Sequence, residues 1–210
     1  MGRDINAQCR KCRRAGVKLL LKGERCLSPK CAITKRNYPP GIHGSKGKSR
    51  LSEYGAQLRE KQQLKATYGL LEKQFRNYYF LAFKKKGDTG LELVRLLETR
   101  LDNIIFRLGL AKSRRQARQL VAHGLFKVDG RHIDIPSRIM KPGEIIEIKK
   151  NKSLEKGVLA DNLAKAGSSE IPEWLAFDGQ TKKAKIVRLP NDKDLIFNVN
   201  LRSIVEFYSR

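Results

Sequence analysis

The stretch Leu108–Ile135, LGLAKSRRQARQLVAHGLFKVDGRHIDI, changes its periodicity halfway. In its first half Ala117, Leu120 and Val121 recur at helical spacing, with Ser113 placed as an N-cap and Gly124 as the stop. The second half alternates apolar and polar residues on both sides of Asp129-Gly130, a dipeptide suited to a type I′ hairpin turn. A helix followed at once by a hairpin predicts a compact α+β unit. On that helix the apolar residues turn inward, which leaves Arg114, Arg115 and Arg118 together on the outside as a predicted phosphate clamp.

The flanks extend the unit. Upstream, LELVRLLETRLDNIIFRLGL sets Leu93, Leu97, Leu101, Ile104 and Leu108 on one stripe and reads as a single helix stopped by Gly109. Downstream, KPGEIIEIKK adds a turn and a strand. Further upstream, LSEYGAQLREKQQLKATYG opens on Ser52 as an N-cap and breaks near Gly69, and LLEKQFRNYYFLAFKKK follows with Leu71, Phe75, Tyr78 and Ala82 at helical steps. These are two helices of a small bundle. Tyr68, Tyr78 and Tyr79 read as core by their spacing, whereas Arg59, Lys61 and Arg76 read as phosphate contacts.

The first fifty residues have a different character. They hold all four cysteines, spaced Cys9-x2-Cys12-x13-Cys26-x4-Cys31, and 14 Lys+Arg against 2 Asp+Glu, which is half of the net charge of +24. The opening MGRDINAQ has no secretory pattern, and Val17–Leu21 is too short for a signal core or a membrane span, so a reducing, cytoplasmic setting is expected. In that setting two close cysteine pairs joined by a loop predict a closed tetrahedral metal site, for zinc or alternatively an iron–sulfur cluster, with structural rather than catalytic work. Eight cations lie between Cys9 and Cys31, more than such a site needs to balance its thiolates. The excess calls for an external polyanion. Residues 32–50, AITKRNYPPGIHGSKGKSR, show no apolar face for a membrane surface, which favours nucleic acid. Gly44, Gly47, Lys48 and Ser49 imitate the end of a phosphate-binding loop, but Ile42 stands where its first glycine belongs and NYPP cannot form the strand before it. His43 has no partner in view. No catalytic residue and no small-molecule substrate site is expected.

The run TRLDNIIFRLGLAKSRRQARQLVAHGLFKVDGRHIDI with PGEIIEI closely resembles the S-four RNA-binding domain. That domain also occurs in some pseudouridine synthases and in bacterial tyrosyl-tRNA synthetases. YGAQLREKQQLKATYGLLEKQFRNYY and the closing VEFYSR narrow the likeness to the family of the fourth small-subunit ribosomal protein (uS-four) in its bacterial form, and the cysteine arm resembles its metal-bearing members. The alternative is an RNA-modifying, pseudouridine synthase-like enzyme, since Arg100-Leu101-Asp102 imitates the string around such a catalytic aspartate. Asp102, however, falls inside the predicted helix, where it reads as a cap or ion-pair residue.

The expected organisation is a basic metal-binding arm at 1–50, a helical domain at 51–90 completed by 195–210, and an α+β domain at 91–190 with the S-four module at about 97–160. The module is expected to contain two helices and a small, mainly antiparallel sheet. The resemblance implies a structural role: early, direct binding to small-subunit ribosomal RNA, nucleation of subunit assembly, a place beside messenger RNA (mRNA) at the channel entrance, and a contribution to accuracy. The candidate RNA contacts are Arg3, Arg10, Arg13, Arg14, Lys22, Lys46, Lys48, Arg50, Arg59, Lys61, Arg76, Arg107, Arg114, Arg115, Arg118 and Arg131. Of these, Lys46, Lys48 and Arg50 align with family residues at the messenger entrance. Residues 151–210 carry 10 Lys+Arg and 8 Asp+Glu, a balance that suits a protein neighbour, and the resemblance makes it S-five, with S-three beside it. No membrane partner is expected.

Overall fold

The computed structural model describes residues 4–47, 50–149, 171–195 and 199–210. The chain divides into two compact units, residues 1–93 with 197–210, and residues 94–196.

In the first unit, α1 (Gln8–Ala15), α2 (Glu24–Leu27) and α3 (Ala32–Lys35) are followed by a 3-10 turn (Ile42–Lys46), then α4 (Glu53–Thr67) and α5 (Glu72–Phe83). Ser52 caps α4 as expected, its hydroxyl accepting the Gly55 N–H at 3.2 Å. Phe75, Tyr78 and Ala82 are buried at their predicted spacing, while Leu71 stands at the N-cap and is exposed. Tyr68 and Tyr79 are buried too. The final helix, α9 (Leu201–Ser209), lies along α4: Gln57 donates to Glu206 at 3.2 Å, and the rings of Tyr54 and Phe207 are 5.5 Å apart. Gly44 passes so close to the Pro39 carbonyl that any β-carbon would collide with it, which fixes glycine there.

The second unit corrects one helix. The stretch expected as a single helix is broken into α6 (Thr89–Glu98), which begins in the first unit, and α7 (Leu101–Arg107). At the break Arg100 is extended and pairs with Ile139. The Met140 N–H meets the Thr99 carbonyl at 2.9 Å, and the Leu101 N–H meets that of Arg138 at 2.9 Å. The strand-like pairing supplies the backbone partners that an unbroken helix would have supplied, so the stripe continues across an interruption that periodicity alone does not show.

Beyond it, α8 (Arg114–Ala122) is capped by Ser113, whose hydroxyl accepts the Gln116 N–H at 3.3 Å. Strands β1 (Phe126–Val128) and β2 (Arg131–Ile133) join through Asp129 and Gly130, with φ of 47° and 75°, as a type I′ turn requires. With β3 (Ile145–Ile148), β4 (Leu175–Asp178) and β5 (Lys183–Ile186) they form a five-stranded sheet in the order β2-β1-β3-β5-β4, antiparallel at every pairing. The expected α+β class holds. Leu101, Ile104, Ile105, Leu108, Val121, Phe126 and Trp174 form its core, and each such large side chain contributes about 1.5–3 kcal/mol by leaving water.

Candidate nucleic-acid interface

The helix pair α7–α8 presents arginines, and the α6–α7 break decides how. Breaking the helix puts Asp102 in the first turn of α7 rather than in a helix interior, beside a buried Glu98 at the end of α6. Arg100 grips Asp102 through two bonds of 3.0 and 2.6 Å. Glu98, only 2% exposed, takes two bonds from Arg107 at 2.9 and 2.8 Å and one from the Asn103 amide at 2.8 Å. With its NH₂ turned to Glu98, Asn103 offers its oxygen to the Arg114 Nε at 2.7 Å. The Arg114 guanidinium also lies 4.6 Å from the centre of the Phe106 ring.

The expected clamp is therefore divided. Arg114 and Arg118 are not on the open outside of α8: their side chains are 16% and 15% exposed and lean toward Glu98 (3.8 Å) and Asp102 (3.6 Å). Arg115 is exposed, as is Arg131 on the hairpin, and neither forms an ion pair among the described residues. A helical wheel assigns direction from the helix alone. It misses two acids that sit at the end of one helix and the start of the next.

The same sorting applies in the first unit. Arg59 donates to the Ala15 carbonyl at the end of α1, with its Nε at 3.1 Å, and Arg13 donates to the carbonyls of Tyr38 and Pro39 at 2.9 and 3.1 Å. Lys61 is buried and bonded to Glu72 at 2.7 Å. All three tie backbone or side chains together within the unit. Arg10, Arg14, Lys22, Lys46, Arg50 and Arg76 are exposed, and none of their side chains forms an ion pair among the described residues. Arg3 and Lys48 lie outside the described residues.

The four thiols are free, and all four line one small cavity together with Lys22, Arg25, Ala32 and Ile33. Cys12, Cys26 and Cys31 are buried, and the Lys22 N–H points at the Cys26 sulfur at 3.3 Å. Burial pushes the Cys12 thiol up, helped by the neighbouring sulfurs. At Cys31 burial acts the same way but is outweighed by the N–H groups of Ile33 and Thr34, which hold the thiol below its ordinary value. The donor set is that of a thiolate metal site, although among the described residues no group of three or more His, Cys, Asp or Glu side chains is arranged to hold an ion.

Glu98, Asn103, Phe80, Phe207 and Tyr208 escaped the sequence reading. A carboxylate and an amide inside an apolar stripe carry no periodic signal. The aromatic residues meet only when α9 returns to α4 and α5 across more than a hundred residues.

A two-helix and hairpin unit on an antiparallel sheet, carrying an organised set of arginines, defines an S4-type module, and residues 99–146 match the family model of the S4 domain. Residues 3–98 match that of the ribosomal protein S4/S9 N-terminal domain. The small ribosomal subunit protein uS4 of Thermus thermophilus is 51% identical over 211 residues, spanning the whole of both chains. The uS4 proteins of Acetivibrio thermocellus and Thermodesulfovibrio yellowstonii are 50% and 49% identical, also end to end. The chain belongs to the uS4 family of small ribosomal subunit proteins, a family of structural proteins rather than enzymes. Among the described residues no helix is long and apolar enough to cross a membrane.

Proposed function

We propose that this protein is a structural component of the small ribosomal subunit in the cytoplasm, binding small-subunit ribosomal RNA directly and early so that the surrounding RNA assembles on it. The observation that carries this reading is the end-to-end identity of about half with uS4 proteins. The net charge of +24 and the exposed, unpaired cations suit an RNA backbone. Footprinting on naked small-subunit RNA tests it: protection of one compact junction is expected, and no protection at any concentration that saturates a uS4 from another bacterium overturns it. The synthase-like alternative loses its catalytic group, because Asp102 is gripped by Arg100 and flanked by Arg118 rather than turned toward a substrate.

Three finer roles belong to the same proposal. Cys9, Cys12, Cys26 and Cys31 hold a structural zinc ion, an iron–sulfur cluster being the alternative. Zinc would cross-link α1 to the segment around α2 and α3, and the support is four free thiols lining one cavity. Elemental analysis of the purified protein is expected to give one zinc per chain; a metal-free protein with an ordered arm overturns the role, and iron with a brown chromophore selects the cluster. Exposed Lys46 and Arg50, with Lys48, guide mRNA at the channel entrance, and reversing them slows unwinding of structured messengers while leaving assembly intact. The nearly neutral C-terminal region meets a neighbouring protein, S-five with S-three nearby, and weakening that interface is expected to raise miscoding with RNA affinity unchanged.

A further inference from the structure

An open groove of about 580 Å³ lies where α9 meets α4 and α5. Its floor is a carboxylate that is already satisfied. Glu72 accepts Lys61 Nζ and Lys65 Nζ, both at 2.7 Å, and the Tyr208 hydroxyl at 2.8 Å. Desolvation pushes its carboxyl up, but these three donors hold it down to about 2, so it stays ionised and its charge is taken up inside the unit. The Lys61 ammonium is spent as structure too, lying 4.5 Å from the centre of the Phe207 ring.

The wall of the groove is different. Phe80 is 43% exposed, and Arg76 lies over its ring at 5.3 Å with no carboxylate partner among the described residues. Lys65 and Arg210 complete the rim. Arg210 is paired with Glu53 at 3.2 Å, and Lys61, Lys65 and Arg76 against the one carboxylate of Glu72 leave the groove positive. A flat ring and a guanidinium plane stand at its edge. That pairing of a π surface with nearby cations is what an unpaired nucleotide requires: a face on which the base stacks and a charge for its phosphate. A protein segment of ordinary composition would need an acidic side chain and an apolar one in the same small space, whereas every nucleotide carries both features.

We propose that this groove binds a single unpaired nucleotide of the RNA, with the base stacked on Phe80 and Arg76 and the adjoining phosphate facing Arg76 and Lys65. The proposal rests on the ribosomal-RNA reading above and adds to it a site built from the helical unit and its C-terminal helix rather than from the S4 module.

The test uses the full-length protein and the 5′ part of small-subunit RNA. Phe80→Leu keeps an apolar side chain of similar size but removes the ring, and is expected to weaken binding roughly tenfold without changing the salt slope. Phe80→Tyr restores affinity because the ring returns. Arg76→Gln weakens binding and makes the salt slope shallower by roughly 0.7–0.9. Ultraviolet cross-linking joins a nucleotide to a peptide containing Phe80. If the unaltered protein binds and Phe80→Leu binds equally well with no such cross-link, the groove proposal is overturned, including in favour of a protein occupant, while the ribosomal-RNA reading survives. If Phe80→Leu and Phe80→Tyr weaken binding alike, the ring does not stack and the proposal is equally overturned. Failure of the unaltered protein to bind strikes the parent reading instead.

Discussion

The arginines of the α7–α8 pair and those of the cysteine arm differ less in number than in what faces them. In the second unit Arg100, Arg107, Arg114 and Arg118 converge on two acids, Glu98 and Asp102, which are nearly inaccessible to water. In the arm Arg10, Arg14 and Lys22 face solvent without an acid among the described residues. The first set is stiff, since each guanidinium is held by fixed acceptors and its entropy is already lost on folding; the second keeps its freedom until a partner arrives. A count of positive charges treats these sets as equal. They fail differently when altered, which gives a way to break the comparison.

The largest effect is expected at Glu98. Its replacement by alanine leaves Arg107, Arg114 and the Asn103 amide without their shared acceptor; breaking a buried pair costs about 3–5 kcal/mol, and the 30% exposure of Arg107 puts the expected loss at the low end of that range. Urea unfolding of Glu98→Ala measures it; a loss below about 1 kcal/mol would mean that the network is dispensable. Arg14→Ala in the arm is the matched control, expected within about 0.5 kcal/mol of the unaltered protein.

The next effect sharpens the contrast on the RNA side. Arg115 and Arg131 are the exposed members of the module's candidate arginines, so Arg115→Ala with Arg131→Ala should lower RNA affinity and make the salt slope shallower by roughly 0.7–0.9 for each phosphate no longer neutralised, with stability unchanged. Arg118→Ala should instead lower stability, by less than Glu98→Ala, because Asp102 loses one of its two guanidiniums and keeps Arg100. Equal effects of both variants on the unfolding midpoint would erase the distinction between held and free arginines.

Local signals carried much of the fold. Ser52 and Ser113 announce their helices because a hydroxyl at the N-cap acts within one turn, and Asp129-Gly130 announces its hairpin because few other dipeptides tolerate both backbone angles. What sequence reading missed depends on distant partners. The α6–α7 break exists because residues 136–140 return to pair with 99–102, and nothing within the LELVRLLETRLDNIIF stretch marks it. The same limit governs the cations. Arg59 and Lys61 look like phosphate contacts on a wheel, yet the Ala15 carbonyl and Glu72 claim them, one from 44 residues upstream and one from the following helix. The four cysteines were legible as a set from their spacing, and all four line one cavity.

The smallest expected effect concerns acid and the C-terminal helix. Glu72 has its carboxyl held at about 2 in the folded protein, against an ordinary value of 4.5. A depressed folded value means that the stabilisation is fully present above pH 4.5 and disappears as the pH falls toward 2, when protonation weakens the bonds from Lys61, Lys65 and Tyr208. Because the Glu72 side chain is 45% exposed, solvent screens much of this coupling, and the helix should loosen locally rather than the unit unfold. NMR signals of the Phe207 and Tyr208 rings provide the measurement, with gradual broadening expected between pH 4.5 and 2. Glu72→Gln should show the loosened spectrum already at neutral pH and respond less to acid across that window. If its acid response matches that of the unaltered protein, some other carboxylate, such as Glu60 at the N-cap of the helix, Glu53 or Glu206, fastens the C-terminal helix.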